Sequence, residues 1–326
     1  GAVTLGNNVT IDTNSTTTNR ADITIAAITG GNNTLTLTTE NNVTGSDVTA
    51  SGNISGVTTL TLASVGGTAT LSADVDVTTL TALGNTVANI VFTGNGSTVV
   101  NTFTPIIDGT LTLGANGGTQ TWTGGINGIN RSGVTILNGT IQSSNAAFVF
   151  GNITLNSDSV INTNATGQFA DIFVGAITGN NNSLTLSTGN NISGADIIIS
   201  LFDSTASSGI DALTLSNIGG TVTFPGSVST ATLSANNTVA NISFTGSTNT
   251  FSGAASFAND GTLTFGNSTG DSFTFNGGLT TSSVAGTVTL NTSISSSNDA
   301  MVFGAITLGN NVTLDTNASS TTGDLT

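Results

Sequence analysis

Residues 31–39 read GNNTLTLTT, and after the Gly and two Asn the side chains alternate strictly: Thr34, Leu35, Thr36, Leu37, Thr38. A period of two is that of an extended strand with one face buried, and Thr suits the outward positions. The phrase returns as TTLTLAS (58–64), GTLTLGA (109–115), NSLTLSTGN (182–190) and DALTLSN (211–217). On this reading Leu35, Leu37, Leu60, Leu62, Leu111, Leu113, Leu184 and Leu186 form an interior. Gly and Asn clusters end each run, so Asn32, Asn33, Asn41, Asn42, Asn190 and Asn191 are expected at corners, where Asn tolerates left-handed backbone and stacks in hydrogen-bonded ladders.

A second, longer period lies over the first. GAVTLGNNVTIDTN (1–14) returns as GAITLGNNVTLDTN (304–317) and, more diverged, as GNITLNSDSVINTN (151–164). NNVTGSD (41–47) returns as NNISGAD (190–196), and NTVANIVFTG (85–94) as NTVANISFTG (237–246). Offsets of about 149–153 residues define repeat units 1–150 and 151–303, with 304–326 beginning a third. A fixed period of this kind points to a repeat architecture.

No stretch carries a helical period, and Gly and Asn at this density oppose one. The expected fold is all-β, and two architectures compete: tandem sandwiches, or a parallel β-helix (β-solenoid). Short strands, only 2 Pro and 5% aromatic residues favour the solenoid, as does the unbroken junction FVFGNITL (148–155). Turns of roughly 20 residues would give about sixteen in one continuous stack. Trp122, Phe92 and Phe244 read as core fillers rather than carbohydrate platforms; Phe244 occupies the place of Phe92, and Phe275 that of Trp122.

The chain resembles passenger regions of Gram-negative surface adhesins, the autotransporter and filamentous-haemagglutinin-like β-solenoids, including rickettsial outer-membrane surface antigens. GTLTLG, NNVTLDTN and NTVANIVFTG carry the resemblance, with the Gly, Asn and Thr richness and the absence of Cys. It implies a secreted, right-handed parallel β-helix at the bacterial cell surface, acting in adhesion or as a fibre and meeting host-cell or surface glycan or protein receptors.

Composition narrows the chemistry. The 326 residues carry a net charge of −15 with Arg20 and Arg131 as the only cations, which opposes binding to nucleic acid or an anionic membrane. No apolar run approaches the ~20 residues of a membrane span. His, Cys, Lys and Tyr are absent, so the usual general bases, nucleophiles and zinc ligands are missing and no cofactor is expected.

Carboxylates remain. Asp74 with Asp76, and Asp203 with Asp211, are the pairs that a polysaccharide-cleaving β-helix would use. Asp12/Asp315, Asp47/Asp196 and Asp108/Asp260 recur between units, as calcium ligands or as turn caps. Regular Thr-x-Thr ranks would suit ice binding, and Asn-x-Ser/Thr sequons occur at Asn8, Asn42, Asn53, Asn138, Asn191, Asn241 and Asn311. The reading that absorbs most of the sequence is a non-enzymatic extracellular repeat region. Its neighbours are further repeats or identical subunits end to end, because 304–317 nearly duplicates 1–14.

Overall fold

The computed structural model describes residues 1–16, 19–82, 87–128, 133–199, 207–317 and 323–326. It is an all-β, parallel β-solenoid of about 13 turns. The chain divides into two compact units, Gly1–Gly151 and Asn152–Thr326.

Each turn contributes strand segments to three parallel ladders. In the first unit the first ladder runs through Ile23–Ile25, Val48–Ala50, Val65–Leu71, Val87–Phe92 and Leu111–Leu113. The second and third ladders share long strands, Ile28–Thr38, Ile54–Ala63 and Val75–Ala82, which stay hydrogen-bonded round a corner. The second unit repeats the plan, with Ile153–Asn162, Ile177–Ser187, Ser207–Ser216 and Val228–Ala235 as the bent strands. Farther along, the bend opens into separate strands: Thr248–Phe251 stacks on one half of Val228–Ala235 and Ala255–Phe257 on the other.

Sequence reading expects short strands and about sixteen turns, and the bent strands are where it departs from the structure. Leu35 pairs with Leu60 and Leu60 with Leu80, so successive turns take 25 and then 20 residues, while Leu184 to Leu213 takes 29. In the first unit the additional residues sit at corners that the alternation does not reveal. Longer turns mean fewer of them.

Glycine makes the bend. Ile28–Thr38 turns at Gly30, Gly31 (φ 57°) and Asn32 (φ 63°), and its neighbour turns at Gly56 (φ 63°). A Cβ placed on Gly30 would run into the Gly56 carbonyl, and one on Gly179 into that of Gly209. Two backbones therefore stack in van der Waals contact where no side chain fits. Gly30→Ala is expected to cost the first unit about 2 kcal/mol in chemical denaturation, as overpacking does. Gly6→Ala, where the added carbon meets nothing, is expected to stay within about 0.5 kcal/mol of the parent.

The interior is filled file by file. Leu35, Leu60 and Leu80 are in register, as are Leu37, Leu62 and Ala82, and all are buried. Leu111, Leu113, Leu184 and Leu186 are fully buried too. In the first unit Phe92 meets Trp122 edge-on at 5.4 Å, and Phe103 stacks on Trp122 at 5.4 Å. In the second, Phe224, Phe244 and Phe265 form one stacked file, with centroids 4.5 and 5.7 Å apart.

Candidate functional site

Several of the polar residues that recur between units line up in a file along one corner, at the start of the first ladder. In the first unit the Asp22 carboxylate accepts the Asp47 N–H at 2.9 Å, and the Asp47 carboxylate accepts the Thr68 N–H at 2.7 Å. Thr68 pairs with Asn89, whose side-chain oxygen accepts the Thr110 N–H at 2.9 Å and the Thr110 hydroxyl at 3.1 Å. The second unit repeats the file: Asp171 accepts from Asp196 at 2.8 Å, Asp196 from Thr221 at 2.7 Å, and Asn241 from Thr262 at 2.9 Å. Each side chain satisfies a main-chain donor of the next turn at the place where the ladder begins.

Asp22, Asp171 and Asn89 escape the sequence analysis, yet a signal for them is present. ADITI (21–25), SDVTA (46–50), GTATL (67–71), ANIVF (88–92) and GTLTL (109–113) share a pattern: a small residue, then Asp, Thr or Asn, then apolar, any residue, apolar. That five-residue pattern marks one corner of five successive turns in the first unit.

The other carboxylates are occupied in similar ways. Asp12 and Asp315 each accept the N–H two residues on, from Asn14 and Asn317, at 2.7 and 2.8 Å, in matching Asx turns. Asp108 and Asp260 precede Gly109 and Gly261, whose N–H groups bond the Ala88 and Ala240 carbonyls at equivalent corners. Asp74 and Asp76 share one outward face of a turn, but Asp74 caps the Gly96 N–H at 2.8 Å and Asp76 the Thr98 N–H at 3.1 Å. Asp203 and Arg131 lie outside the described residues. Among the described residues no group of three or more His, Cys, Asp or Glu could hold a metal ion.

Two of the described carboxyl groups are electrostatically perturbed. The hydrogen bond that a protonated Glu40 donates to the Asp12 carboxylate, and that residue's charge, push the exposed Glu40 carboxyl up. Its counterpart in the second unit is Gly189, so this pair does not recur. Burial pushes Asp171 up; the Asp196 N–H partly offsets this, and the Asp196 charge adds to the rise. A carboxyl whose folded-state affinity for protons exceeds the unfolded one makes folding less favourable as pH rises through its range. Asp171→Asn keeps the acceptor for the Asp196 N–H and removes the charge. It is expected to raise stability at pH 7 by a few tenths of a kcal/mol after solvent screening, the gain vanishing below about pH 3.5. Denaturation at the two pH values checks this.

The corner asparagines serve in two ways, and Asn41 in both, since its amide also donates to the Ser15 carbonyl at 2.7 Å. Asn32, Asn41, Asn42 and Asn191 take left-handed backbone. Asn33 and Asn190 do not; their amides reach down to main-chain carbonyls of the preceding turn, Leu5 at 3.1 Å and Ala165 at 2.8 Å. These amides bind backbone where sequence reading expects amide stacked on amide, because the positive-φ bend brings a carbonyl within reach first. Of the sequon asparagines, Asn138 is buried, and Asn8 and Asn241 are hydrogen-bonded to the next turn through their side-chain oxygens.

One surface concavity occurs in both units at equivalent positions, outside the strand bend. In the first it has a volume of about 200 Å³ and is lined by Asn32, Val57, Thr58, Asp76, Thr98 and Val100. In the second it is about 160 Å³, between Asn181, Ile210, Asp211, Ser229 and Ser252. Its rim offers hydroxyls and one carboxylate per copy, at Asp76 in one and Asp211 in the other, and its wall carries no aromatic ring.

No protein-family model, curated protein or solved structure matches the chain.

Proposed function

We propose that the chain is a non-enzymatic structural and adhesive repeat region of a bacterial surface protein, right-handed in coil and extracellular. In style it is an adhesin passenger segment whose task is reach, stiffness and contact. One observation carries this reading: the recurrent Asp and Asn side chains are spent on main-chain N–H groups of the next turn rather than aimed at a shared point. A scaffold in which each turn caps the next gains stability by neighbour terms and lengthens at little cost. Its partners would be further turns, or identical chains end to end, with glycan or protein receptors on the exposed faces; the acidic surface disfavours nucleic acid and anionic membrane. Electron microscopy of a longer array tests the proposal. Unbranched stiff rods with a ~4.8 Å axial repeat in diffraction are expected, and beads joined by flexible links would overturn it.

A second reading rests on a regular hydroxyl grid in the first unit. Thr10, Thr36, Thr61 and Thr81 form one file across four turns, and Thr34, Thr59 and Thr79 form a second beside it. Neighbours in such a grid stand about 4.8 Å apart between turns and about 6.7 Å along a strand. Ordered water or an ice surface is the ligand such spacing would suit. In the second unit the corresponding files mix Ser183, Ala212 and Thr232 with Thr185, Thr214 and Ser234, so the grid is less regular there. A thermal-hysteresis measurement on the parent and on Thr36→Leu/Thr61→Leu decides between the readings: activity lost in the variant supports ice binding, and none in the parent removes it.

A further inference from the structure

The concavity outside the strand bend recurs in both units, and its chemistry recurs in an altered order. In the first unit it crosses four successive turns, from Asn32 to Val100, a length of about 14 Å at ~4.8 Å per turn. In the second it likewise runs across successive turns, from Asn181 to Ser252. ISGVTTLTLA (54–63) corresponds to SSGIDALTLS (207–216), and VDVTTLTA (75–82) to VSTATLSA (228–235). Thr58 therefore stands where the second unit has Asp211, and Asp76 where it has Ser229. Each copy pairs one carboxylate with one hydroxyl on the adjacent turn, and the two have exchanged places. The negative charge is kept although the residue carrying it differs.

We propose that each concavity is a docking site for a lysine side chain of a partner protein, with the ammonium group on the carboxylate. Three observations carry it. First, acceptors are left over. Asp76 gives one carboxylate oxygen to the Thr98 N–H at 3.1 Å and keeps the other, and the Thr58 hydroxyl spends its proton on the Asn32 carbonyl at 2.8 Å, so toward a ligand its oxygen only accepts. The Asp211 side chain has no hydrogen-bond partner among the described residues, while its main-chain carbonyl takes the Thr232 hydroxyl at 3.2 Å. Second, the chain carries a net charge of −15 without a single Lys, and among the described residues no cation lines either copy, so the counter-charge has to come from outside. Third, the carboxylate lies beside aliphatic wall, Val57, Val77 and the half-exposed Val100 in one copy and Ile210 and Ala231 in the other, on which the four-carbon stem of a lysine can lie.

The same features disfavour other ligands. An ammonium group has three donors and no acceptor, which matches a wall of unspent oxygens; a guanidinium uses both oxygens of one carboxylate, and Asp76 has only one to give. A sugar ring packs best on an aromatic face, and neither copy has one. Calcium takes six to eight oxygens, typically from several carboxylates and carbonyls, and each copy offers one carboxylate. The proposal deepens the adhesive reading above by naming a contact and its partner. The two fail separately: stiff rods without lysine binding leave the structural reading standing, and lysine binding by a beaded chain leaves this one standing.

Titration of the isotope-labelled chain with N-acetyl-lysine methylamide at constant ionic strength tests this through amide chemical shifts. Saturable shifts are expected at Thr58, Asp76 and Thr98, and separately at Asp211 and Ser229, and the Nε-acetylated probe, with the same stem and no charge, is expected to produce neither set. Asp76→Asn keeps an acceptor for the Thr98 N–H; it is expected to weaken the first response about tenfold or more and to leave the second unchanged, and Asp211→Asn to do the reverse. Undiminished binding in both variants, or equal shifts from the Nε-acetylated probe, overturns the proposal. So does a response of these amides to glucosamine or to calcium ions where the lysine probe gives none. Should a variant lose its native spectrum, the parent decides by itself: raising sodium chloride to about 0.5 M is expected to weaken lysine binding, and binding indifferent to salt overturns the proposal.

Discussion

Leu60→Asp is expected to unfold the turns of the first unit around it, at a cost of about 5 kcal/mol or more at pH 7. Leu60 is fully buried between Leu35 and Leu80, and its file-mates on both sides are aliphatic, so an introduced carboxylate finds no donor. It must either stay charged in a dry interior or take up a proton at neutral pH, and protonating a carboxyl at pH 7, about three units above its ordinary pKa, costs about 4 kcal/mol. The lost burial of the Leu side chain adds a further 1.5–3 kcal/mol or so. Whole-domain stability is commonly about 5–15 kcal/mol, so the variant consumes most of it. Thr61→Asp, one residue along and facing out between Thr36 and Thr81, is expected to change stability by less than about 1 kcal/mol. Urea denaturation with hydrogen exchange locates the damage. Loss of protection confined to turns that touch Leu60 is the signature of a stack stabilised by nearest neighbours. A further check is acidification, which lets the carboxyl protonate without penalty and should recover part of the loss.

Leu60 also illustrates what was legible in the sequence. The strict alternation in TTLTLAS identifies its inward side, and the recurrence of LTL identifies the class of fold. The stacking partner, however, is set by how many residues each corner consumes, and corners are written in Gly and Asn without a fixed length. Gly30, Gly31 and Asn32 look like the end of a strand, yet Ile28–Thr38 runs through them, because two left-handed residues let the chain change direction while its hydrogen bonds continue with a shifted register. The corner file of Asp22, Asp47, Thr68 and Asn89 was harder to see. Its members differ in type and share only an oxygen acceptor or hydroxyl, and the 150-residue repeat pairs Asp47 with Asp196 more visibly than Asp47 with Thr68. The concavity beside Asp76 and Asp211 has no sequence signature, since it is formed by a bend in the backbone.

Phe244→Ala is expected to destabilise the second unit by about 4–5 kcal/mol, the larger end of the range for removing a buried ring. Phe244 stacks between Phe224 and Phe265 and meets Phe251, Phe257 and Phe273 edge-on at 5.9–6.2 Å, so the cavity has aromatic walls on every side. Rings are stiff, with two torsions each, and cannot collapse inward as aliphatic side chains do; each lost ring pair also forfeits about 0.5–1.5 kcal/mol beyond its area. The same truncation at Phe92 is expected to cost the first unit slightly less. Its ring neighbours are Phe103 and Trp122, edge-on at 6.4 and 5.4 Å, and the residues above and below it in the ladder, Leu71 and Leu113, are flexible enough to fill part of the void. Phe169→Ser provides the contrast: that ring is 84% exposed, and its loss should leave the denaturation midpoint unchanged. If Phe244→Ala proved as mild as Phe169→Ser, the stacked rings would be filling space that the main-chain ladders hold open by themselves, and the source of the second unit's stability would have to be sought in its hydrogen bonds.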